Sequence, residues 1–388
     1  MILQDIAQRY NDYLIEKRRY FHMHPEVSTK EYNTSKIVKE ELDKYGISWR
    51  PCGMETGILA TIKGKHPGKT ILLRGDMDAL TVQETTGAPY ASVNDGIMHA
   101  CGHDCHTAML LTAARLLNDM KDDLCGTVQL AFQPAEEIAK GARAMMDQGV
   151  LDGVDACFAI HVWGTIDAGK ISLEAGARMA SADQFSIKIK GKGAHGAEPD
   201  DGIDAVVTAA AMINNLQSIV SREIAPMSPA VVTIGTIHGG TRFNVVAEDC
   251  ELTGTTRCFD AKVWEQFENR MRRIVENTAQ TYRASAELIY ERICPPVIND
   301  AEFVALAQKS AKKIMGENCL SSKPATTGAE DFSLFVREVP GAIAMLGIGN
   351  EACGAVWPNH SGNFCVDESQ LLKGAMIYAQ VALDFNAQ

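Results

Sequence analysis

The chain has 388 residues, of which 46% are hydrophobic and 22% are charged, and its formal net charge is -12. This length is too great for a single hydrophobic core, so two domains are expected. The negative charge argues against nucleic acid or anionic lipid as a main partner, because both bind through accumulated positive charge. No apolar run approaches the roughly 20 residues that span a bilayer, so no membrane partner is expected.

The N-terminal segment MILQDIAQRYNDYLIEKRRY is charged and helix-periodic, which is unlike a secretory signal. The eleven cysteines are an odd number and lack the spacing of a disulfide scaffold. Cys157 and Cys250 lie in apolar, strand-like runs and are interpreted as small packing residues. We therefore expect a cytoplasmic protein with reduced thiols.

The first part of the chain alternates apolar runs with amphipathic stretches, the pattern of an α/β domain with a mixed, largely parallel sheet flanked by helices. Helices are predicted over 3–20, 32–45, 107–120 and 136–148. Strands are predicted over 57–63, 70–73, 127–132 and 156–160. These elements predict that 1–180 form the first part of an α/β domain.

A second domain is predicted over 181–292. Its strands are expected at 183–190, 229–237, 245–258 and 286–292, and its helices at 203–220 and 261–281. This β-α-β-β-α-β order is typical of an α+β ferredoxin-like domain. The α/β pattern returns over 293–388, with a helix near 300–315, a strand at 342–346 and a terminal helix from 368, so the first domain is predicted to be discontinuous.

The segment 99–106, HACGHDCH, contains three imidazoles, two thiols and a carboxylate. Thiolate sulfur and imidazole nitrogen are preferred ligands of zinc-like ions. Donors this close together cannot all reach one ion without strain, so Cys101 and His103 are the predicted ligands. The others would orient them or cap the next helix. A polar helix N-terminus beside a buried thiol is the alternative for any single residue.

Polar motifs follow three predicted strands: RGDMD after 70–73, QPAEE after 127–132 and HVW after 156–160. Ligands bind at this carboxyl edge in open α/β sheets. Adjacent Glu136 and Glu137 would repel each other there unless cations compensate. In a dinuclear site one carboxylate can bind an ion while its neighbour acts as general base. The alternative is a solvated pair in the first turn of a helix.

Two further histidines are ambiguous when taken alone. His161 follows an apolar strand and His360 lies in the loop WPNHSG. The prediction comes from convergence, because these imidazoles with Cys101, His103 and Glu137 supply enough donors for two ions.

In the second domain, His195 lies in the glycine-rich loop GKGAHG without other plausible ligands beside it. It suits a stabiliser of developing negative charge. Asn244 and Arg257 are candidates to bind a carbonyl and a carboxylate, respectively. A surface strand residue is the alternative for Arg257.

The motifs RGDMDAL, HACGHDCHT, FQPAEE, AIHVW, GKGAHGAEP, GAEDFS and HSGNF occur in this order and span nearly the whole chain. They resemble the metal-dependent amidohydrolases that include aminoacylases, hippurate hydrolases and indoleacetyl-amino-acid hydrolases. The resemblance implies a catalytic domain with two divalent ions per subunit, Mn²⁺ or Zn²⁺ with Co²⁺ or Ni²⁺ possible. It also implies an inserted lid or dimerisation domain, and hence a homodimer.

The resemblance further implies roles for individual residues. It assigns metal ligation to Cys101, His103, Glu137, His161 and His360, and general-base catalysis to Glu136. Asp78 matches a carboxylate that supports the metal shell, His195 matches the lid histidine, and Asn244 and Arg257 match substrate-binding positions. The sequence departs from the family pattern at Thr81, Asp200 and Gly362, and none of these departures removes a ligand.

The predicted reaction is hydrolysis of an N-acyl amino acid, a small molecule, to a carboxylic acid and a free amino acid. A water deprotonated by Glu136 attacks the amide carbonyl, while a metal ion and His195 stabilise the oxyanion. The rival enzyme class is a thiol hydrolase with Cys101 as nucleophile and His99 or His103 as base. A degenerate family member that binds metal or ligand without turnover is the non-enzymatic alternative.

Overall fold

A computed structural model describes residues 3–388. Its strands are β1 Ser48–Pro51, β2 Ile58–Lys63, β3 His66–Asp76, β4 Cys125–Gln133, β5 Ala156–Asp167, β6 Ile171–Ser172, β7 Gly176–Met179, β8 Ala182–Lys190, β9 Ala194–His195, β10 Ala230–Gly239, β11 Val245–Val246, β12 Asp249–Cys258, β13 Ser285–Cys294, β14 Val297–Asn299 and β15 Gly341–Gly349. Its α-helices are α1 Leu3–Ala7, α2 Asn11–Met23, α3 Tyr32–Lys44, α4 His103–Asp119, α5 Gly141–Met146, α6 Ala205–Ser218, α7 Ala261–Thr281, α8 Ala301–Met315, α9 Ser333–Glu338 and α10 Leu371–Asn386.

The contacts divide the chain into two units. Unit 1 contains the chain up to Gly176, Ile298–Pro324 and Asp331–Gln388, and unit 2 contains Ala177–Val297 and Ala325–Glu330. The sequence predicted boundaries at 180/181 and 292/293, within a few residues of the main divisions. It did not predict that the short loop 325–330 would group with unit 2. The catalytic and lid roles of the units stay predictions.

Unit 1 is built on a seven-stranded sheet in the order β1-β2-β4-β3-β5-β15-β6. The central strands β4, β3, β5 and β15 are parallel, and the remaining pairs are antiparallel. Strand β15, most of β5 and the C-terminal part of β3 are buried because α4 and α10 pack against the sheet, so these stretches read as apolar runs rather than as alternating patterns. The predicted mixed α/β architecture with a largely parallel centre is confirmed.

Three predicted elements of unit 1 differ from the structure. The predicted helix 136–148 is wrong at its start, because residues 136–139 form a turn and the helix spans only Gly141–Met146. Ala135 and Ala139 have φ values of 53° and 51°, which an α-helix cannot contain. The predicted helix 3–20 is interrupted by a 3-10 turn at Gln8–Tyr10, and strand β5 continues to Asp167, so His161 lies within it.

Unit 2 contains an antiparallel sheet in the order β10-β12-β8-β13, with α6 and α7 packed against it. Helix α7 begins after Asp260, whose carboxylate accepts hydrogen bonds from the amides of Lys262 and Val263. Its buried residues recur at helical spacing, as Trp264, Phe267, Met271, Ile274 and Val275. The order of elements is the predicted one, and β10 is a largely exposed edge strand.

Across the described part of the chain, none of the helices has the length and apolarity that a membrane crossing requires.

Candidate metal centre

The turn into helix α4 places two of the predicted ligands. Gly102 has a φ of 93°, and a Cβ at this position would lie 2.3 Å from Cγ2 of Val162. Only glycine combines this backbone conformation with such a close approach. The turn leaves Cys101 just outside the helix and makes His103 its first residue, whereas the sequence placed the helix start at Thr107.

Cys101 is the meeting point of two histidines that are distant in sequence. Its Sγ lies 3.4 Å from Nε2 of His161 on β5 and 3.3 Å from Nε2 of His360 in the loop after β15. The ligand atoms of Cys101, His103 and His161 all lie within 4.8 Å of one another, as do those of Cys101, Glu137 and His360. The structure therefore brings together all five predicted donors. They are called the five-donor cluster below: Cys101, His103, Glu137, His161 and His360.

The carboxylates reach the cluster from the turn after β4. Potential ligand atoms of Glu136 and Glu137 also lie within 4.8 Å of those of His103. Asp78 orients this turn, because its carboxylate accepts hydrogen bonds from the amides of both glutamates, each at 3.1 Å. Oδ1 of Asp78 also lies 3.3 Å from Nδ1 of His103. The carboxylate of Asp78 therefore lies between this turn and the imidazole of His103, where it could give the predicted support to the metal ligands.

Hydrogen bonds fix the orientation of the imidazole of His161. Its Nδ1 lies 2.7 Å from the carbonyl oxygen of Val162, which can only accept, so Nδ1 carries the proton and Nε2 presents its lone pair to the cluster. Burial, and then the nearby His106, hold the pKa of His161 well below its usual range. His161 is therefore neutral, which is the form that ligates metals.

A second buried histidine supports this arrangement without entering the cluster. Nε2 of His106 accepts a hydrogen bond from the amide of Val162 at 2.8 Å, so its Nδ1 donates to Asp76 at 2.5 Å. Asp76 also accepts from Arg74 at 2.6 Å. The sequence predicts that His106 orients the ligands or caps the next helix, and it predicts no role for Asp76 or Arg74.

The electrostatics indicate a site short of positive charge. Burial, together with the nearby charges of Asp78 and Asp76, raises the pKa of Glu137 to about 7, although His103 opposes the shift. Burial would lower the pKa of His103, but the charges of Asp76 and Cys101 and its bond to Asp78 raise it well above its usual range. A cation would relieve the repulsion among these carboxylates.

The donor set fits divalent ions. Nε2 of His103 and Oε1 of Glu137 are buried, and neither finds a hydrogen-bond partner within residues 3–388. Leaving such atoms unpaired costs about 1–3 kcal/mol each, more where the group is charged, so buried polar atoms normally have a partner. One thiol, three imidazoles and carboxylates suit zinc and manganese rather than calcium or magnesium. His360 adds a strained backbone, with a φ of 71°, as residues at functional sites often do.

The three predicted substrate-side residues lie in unit 2. His195 is exposed on β9, which pairs with β11 so that His195 faces Val245 in register. Asn244 precedes β11, and its carbonyl accepts a hydrogen bond from the amide of Gly196 at 2.8 Å. Arg257 lies half-buried on β12, with Nη1 3.5 Å from the carbonyl of Ser181. The loop of His195 and the segment of Asn244 thus lie side by side. Arg257 lies on β12, which belongs to a different sheet.

Sequence reasoning missed a buried ionic network behind the helix that carries His103. Asp104 is fully buried and contacts Nε of Arg18 at 3.0 Å and Nδ1 of His22 at 2.7 Å. Arg18 also contacts Glu368 at 3.1 Å. Arg18 lies in the predicted helix 3–20 and His22 just beyond it, and both lie on the observed helix α2. Nothing local to the sequence identifies their partners.

One departure from the family pattern has a structural account. A Cβ at Gly362 would lie 2.4 Å from the carbonyl oxygen of Gln83, and the carbonyl of Gly362 accepts a hydrogen bond from Thr85 at 2.8 Å. Glycine therefore allows the loop of His360 to lie directly against the backbone of residues 83–85.

Comparisons with known proteins agree with this geometry. The model of peptidase family M20/M25/M40 matches residues 72–384. A thermostable carboxypeptidase of Saccharolobus solfataricus is 40% identical over 99% of this chain and 98% of its own. An N-acetyl-L-cysteine deacetylase of Bacillus subtilis is 38% identical over 97% of this chain and 89% of its own. Among solved structures, a dinuclear metal binding M20 peptidase of Bacillus subtilis shares 36% identity and a TM-score of 0.84, covering 97% of this chain and 98% of that one.

Proposed function

Because the chain belongs to peptidase family M20/M25/M40, we propose that the five-donor cluster holds two divalent ions and that Glu136 is the general base of the reaction. The protein is a metal-dependent hydrolase of the amide bond of N-acyl amino acids. The observation that carries the residue assignment is the convergence of five donors, two of them with buried atoms that lack partners.

We propose Mn²⁺ or Zn²⁺ as the native ions, with Co²⁺ and Ni²⁺ as functional substitutes. The thiolate of Cys101 favours zinc, while imidazole and carboxylate also suit manganese. When bound, such ions polarise a carbonyl oxygen and lower the pKa of a coordinated water.

The side chains supply the proton transfers and the substrate contacts. Glu136 would take a proton from the attacking water and pass it to the leaving amine, as a general base that then becomes a general acid. Asp78 holds the amides of residues 136 and 137 and so sets the position of that carboxylate. We propose that His195 stabilises the oxyanion, that Asn244 binds a carbonyl and that Arg257 binds the substrate carboxylate.

A substrate panel tests the proposed function. Metal-replete protein should hydrolyse acetyl-, benzoyl- and long-chain-acyl amino acids, and each substrate should be compared with its C-terminal amide. Loss of the carboxylate should lower kcat/KM by at least about tenfold, because it leaves a charged binding group unpaired. Equal rates on acids and amides would contradict the proposed carboxylate recognition, and no turnover on any acyl amino acid would contradict the substrate class.

We propose that the protein is a homodimer joined through unit 2. An exposed edge strand is a template for pairing with a second chain, and β10 is such a strand. Two of its apolar side chains, Val231 and Ile237, are exposed. A second copy that continues the sheet would cover both the strand edge and these side chains.

Mixed dimers decide whether His195 acts in the other subunit. Subunits carrying Glu136→Gln and subunits carrying His195→Ala, with different tags, should be inactive alone. If His195 acts in trans, one of the two sites in the symmetric mixed dimer is intact, so about half of the wild-type activity should return. No recovery in a verified mixed dimer would mean that His195 acts within its own subunit.

The thiol-hydrolase alternative is not supported by the surroundings of Cys101. Burial raises the pKa of its thiol well above the usual range, whereas nucleophilic cysteines have lowered values. Its sulfur also lies 3.4 Å from Nε2 of His161 and 3.3 Å from Nε2 of His360, so it is surrounded by several potential metal ligands rather than by one base. The degenerate-member alternative would be favoured by loss of the base, but Glu136 is present. Free thiols throughout the described residues support our proposal of a cytoplasmic location.

A further inference from the structure

Asn359 joins three segments that each carry a donor of the five-donor cluster. Its Nδ2 donates to the carbonyl of Cys101 at 3.0 Å and to the carbonyl of Val162 at 3.1 Å. Its Oδ1 accepts from the amide of Gly164 at 3.1 Å. Asn359 itself immediately precedes His360. The side chain of Asn359 thus makes all three of its hydrogen bonds to backbone atoms in the segments that carry Cys101 and His161, and it lies next to His360 in the chain.

The bond to Val162 has a specific consequence for His161. The carbonyl of Val162 accepts from both Nδ2 of Asn359 and Nδ1 of His161. The carbonyl of Val162 fixes the tautomer and the ring orientation of His161, and Asn359 fixes the position of that carbonyl. Groups that orient a metal ligand through its second nitrogen control metal affinity.

A backbone hydrogen bond also fixes the loop of His360 beside the segment of Cys101. The amide of His360 donates to the carbonyl of Ala100 at 2.8 Å, next to Cys101. The positive φ of His360 is a strained conformation that persists only when its surroundings fix it. The side-chain hydrogen bonds of Asn359 help to fix this conformation of His360.

The cluster thus has two separately supported halves. Asp78 holds the turn of Glu136 and Glu137 and contacts His103. Asn359 bonds to neither that turn nor Asp78 in any hydrogen bond seen within residues 3–388. We propose that Asn359 is a positioning residue that fixes the half formed by Cys101, His161 and His360. Cys101 belongs to both groups of converging donors, and His161 and His360 belong to one group each, so the loss of Asn359 weakens the binding of both ions. This inference rests on the proposed function.

Two substitutions at Asn359 distinguish an effect of its hydrogen bonds from an effect of charge at this position. Asn359→Ala removes all three bonds, and Asn359→Asp keeps the acceptor for Gly164 but loses both donors. Metal-free protein should be titrated with Co²⁺ against a competing chelator. We expect the Kd of both ions to rise about 10- to 100-fold in both variants. The absorption of the Cys101 thiolate bound to cobalt should change as well, which a loss of folding stability alone would not cause.

The aspartate variant makes the result sharper. Its added negative charge would strengthen cation binding by Coulomb attraction if charge were what mattered at this position. A weaker affinity in Asn359→Asp therefore identifies the two donated hydrogen bonds as the cause, and an affinity equal to or above that of the wild type would overturn the inference.

Asn299 provides a matched control in unit 1. Its Nδ2 donates to the carbonyls of Glu174 and Ile343, both at 3.0 Å, and its Oδ1 accepts from the amide of Ile343 at 2.9 Å. The bonding pattern is the same, but none of its partners belongs to the cluster. Asn299→Ala should lower thermal stability and leave both metal affinities within about twofold of the wild type, since the side chain of Asn299 bonds only to Glu174 and Ile343 among the described residues and not to a segment that carries a predicted ligand. If Asn299→Ala shifts the affinities as Asn359→Ala does, the effect is general loosening and the inference fails.

Failure of this inference is distinguishable from failure of the proposed function. If wild-type protein binds no divalent ion, the proposed centre is wrong. If the wild type binds two ions and both Asn359 variants match it, only the positioning role is wrong.

Discussion

Exhaustive chelation is expected to remove all measurable hydrolysis of N-acyl amino acids, and Mn²⁺, Zn²⁺, Co²⁺ or Ni²⁺ is expected to restore it. The reason is the donor set, since a thiol, three imidazoles and carboxylates converge with buried atoms that have no hydrogen-bond partner within residues 3–388 and that a cation would satisfy. Activity should be followed with one acetyl amino acid before chelation, after chelation and after each addition, together with metal content.

Magnesium is the matched control for this reconstitution. It is divalent, but it prefers oxygen ligands in octahedral geometry and binds poorly to thiolate and imidazole. We expect little or no recovery with Mg²⁺ at concentrations at which Zn²⁺ or Mn²⁺ restores activity. Recovery with Mg²⁺ alone would show that the five-donor cluster is not the working site.

The same experiment separates the metal enzyme from a thiol hydrolase. A reaction at the sulfur of Cys101 would survive chelation and form a covalent acyl-enzyme. Full activity in protein shown to be metal-free would therefore contradict the metal centre, and trapping of an acyl group on Cys101 would assign the reaction to the thiol.

The sequence was sufficient to predict which residues meet. Glu137 follows β4, His161 lies on β5, His360 follows β15, and Cys101 and His103 lie at the start of helix α4. The carboxyl ends of parallel strands lie at one edge of a sheet. A local motif and this rule together place Cys101, His103 and Glu137 near one another. His161 and His360 were ambiguous alone and became plausible only as members of the set.

The sequence could not predict the turn of Glu136 and Glu137. Apolar spacing after residue 136 favours a helix, but the amide of Ala135 donates to the buried carboxylate of Glu31 at 3.0 Å. Glu31 also binds Thr56 at 2.7 Å, so the turn is anchored by two distant segments. Local propensity is overridden where long-range hydrogen bonds satisfy a strained backbone.

The role of Asn359 escaped for a similar reason. In the motif WPNHSG the histidine is conspicuous as a ligand, while an asparagine in a loop is ordinary. Its partners lie about 195 to 258 residues away in sequence, as the separations from Gly164, Val162 and Cys101 show. Only the folded chain shows that its three bonds end beside three ligands.

Exchange of Glu136 for glutamine is expected to lower kcat by about 10² to 10⁴-fold, the usual contribution of a general base, with little change in KM. Glutamine has nearly the same shape but cannot accept and return a proton. The backbone amides of residues 136 and 137 would still bond to Asp78, so the turn should persist. Metal content measured on the purified variant should equal that of the wild type.

The neighbouring residue supplies the matched comparison. Glu137→Gln alters a predicted ligand whose Oε1 is buried without a partner in the described chain, so we expect weakened metal binding that excess metal partly rescues. Glu136→Gln should gain nothing from excess metal. The pair thus distinguishes a proton-transfer residue from a ligand by kcat and metal content measured side by side. If Glu136→Gln loses metal while Glu137→Gln keeps both metal and slow turnover, the two roles are exchanged, because both carboxylates start from the same turn and the same distance range from His103.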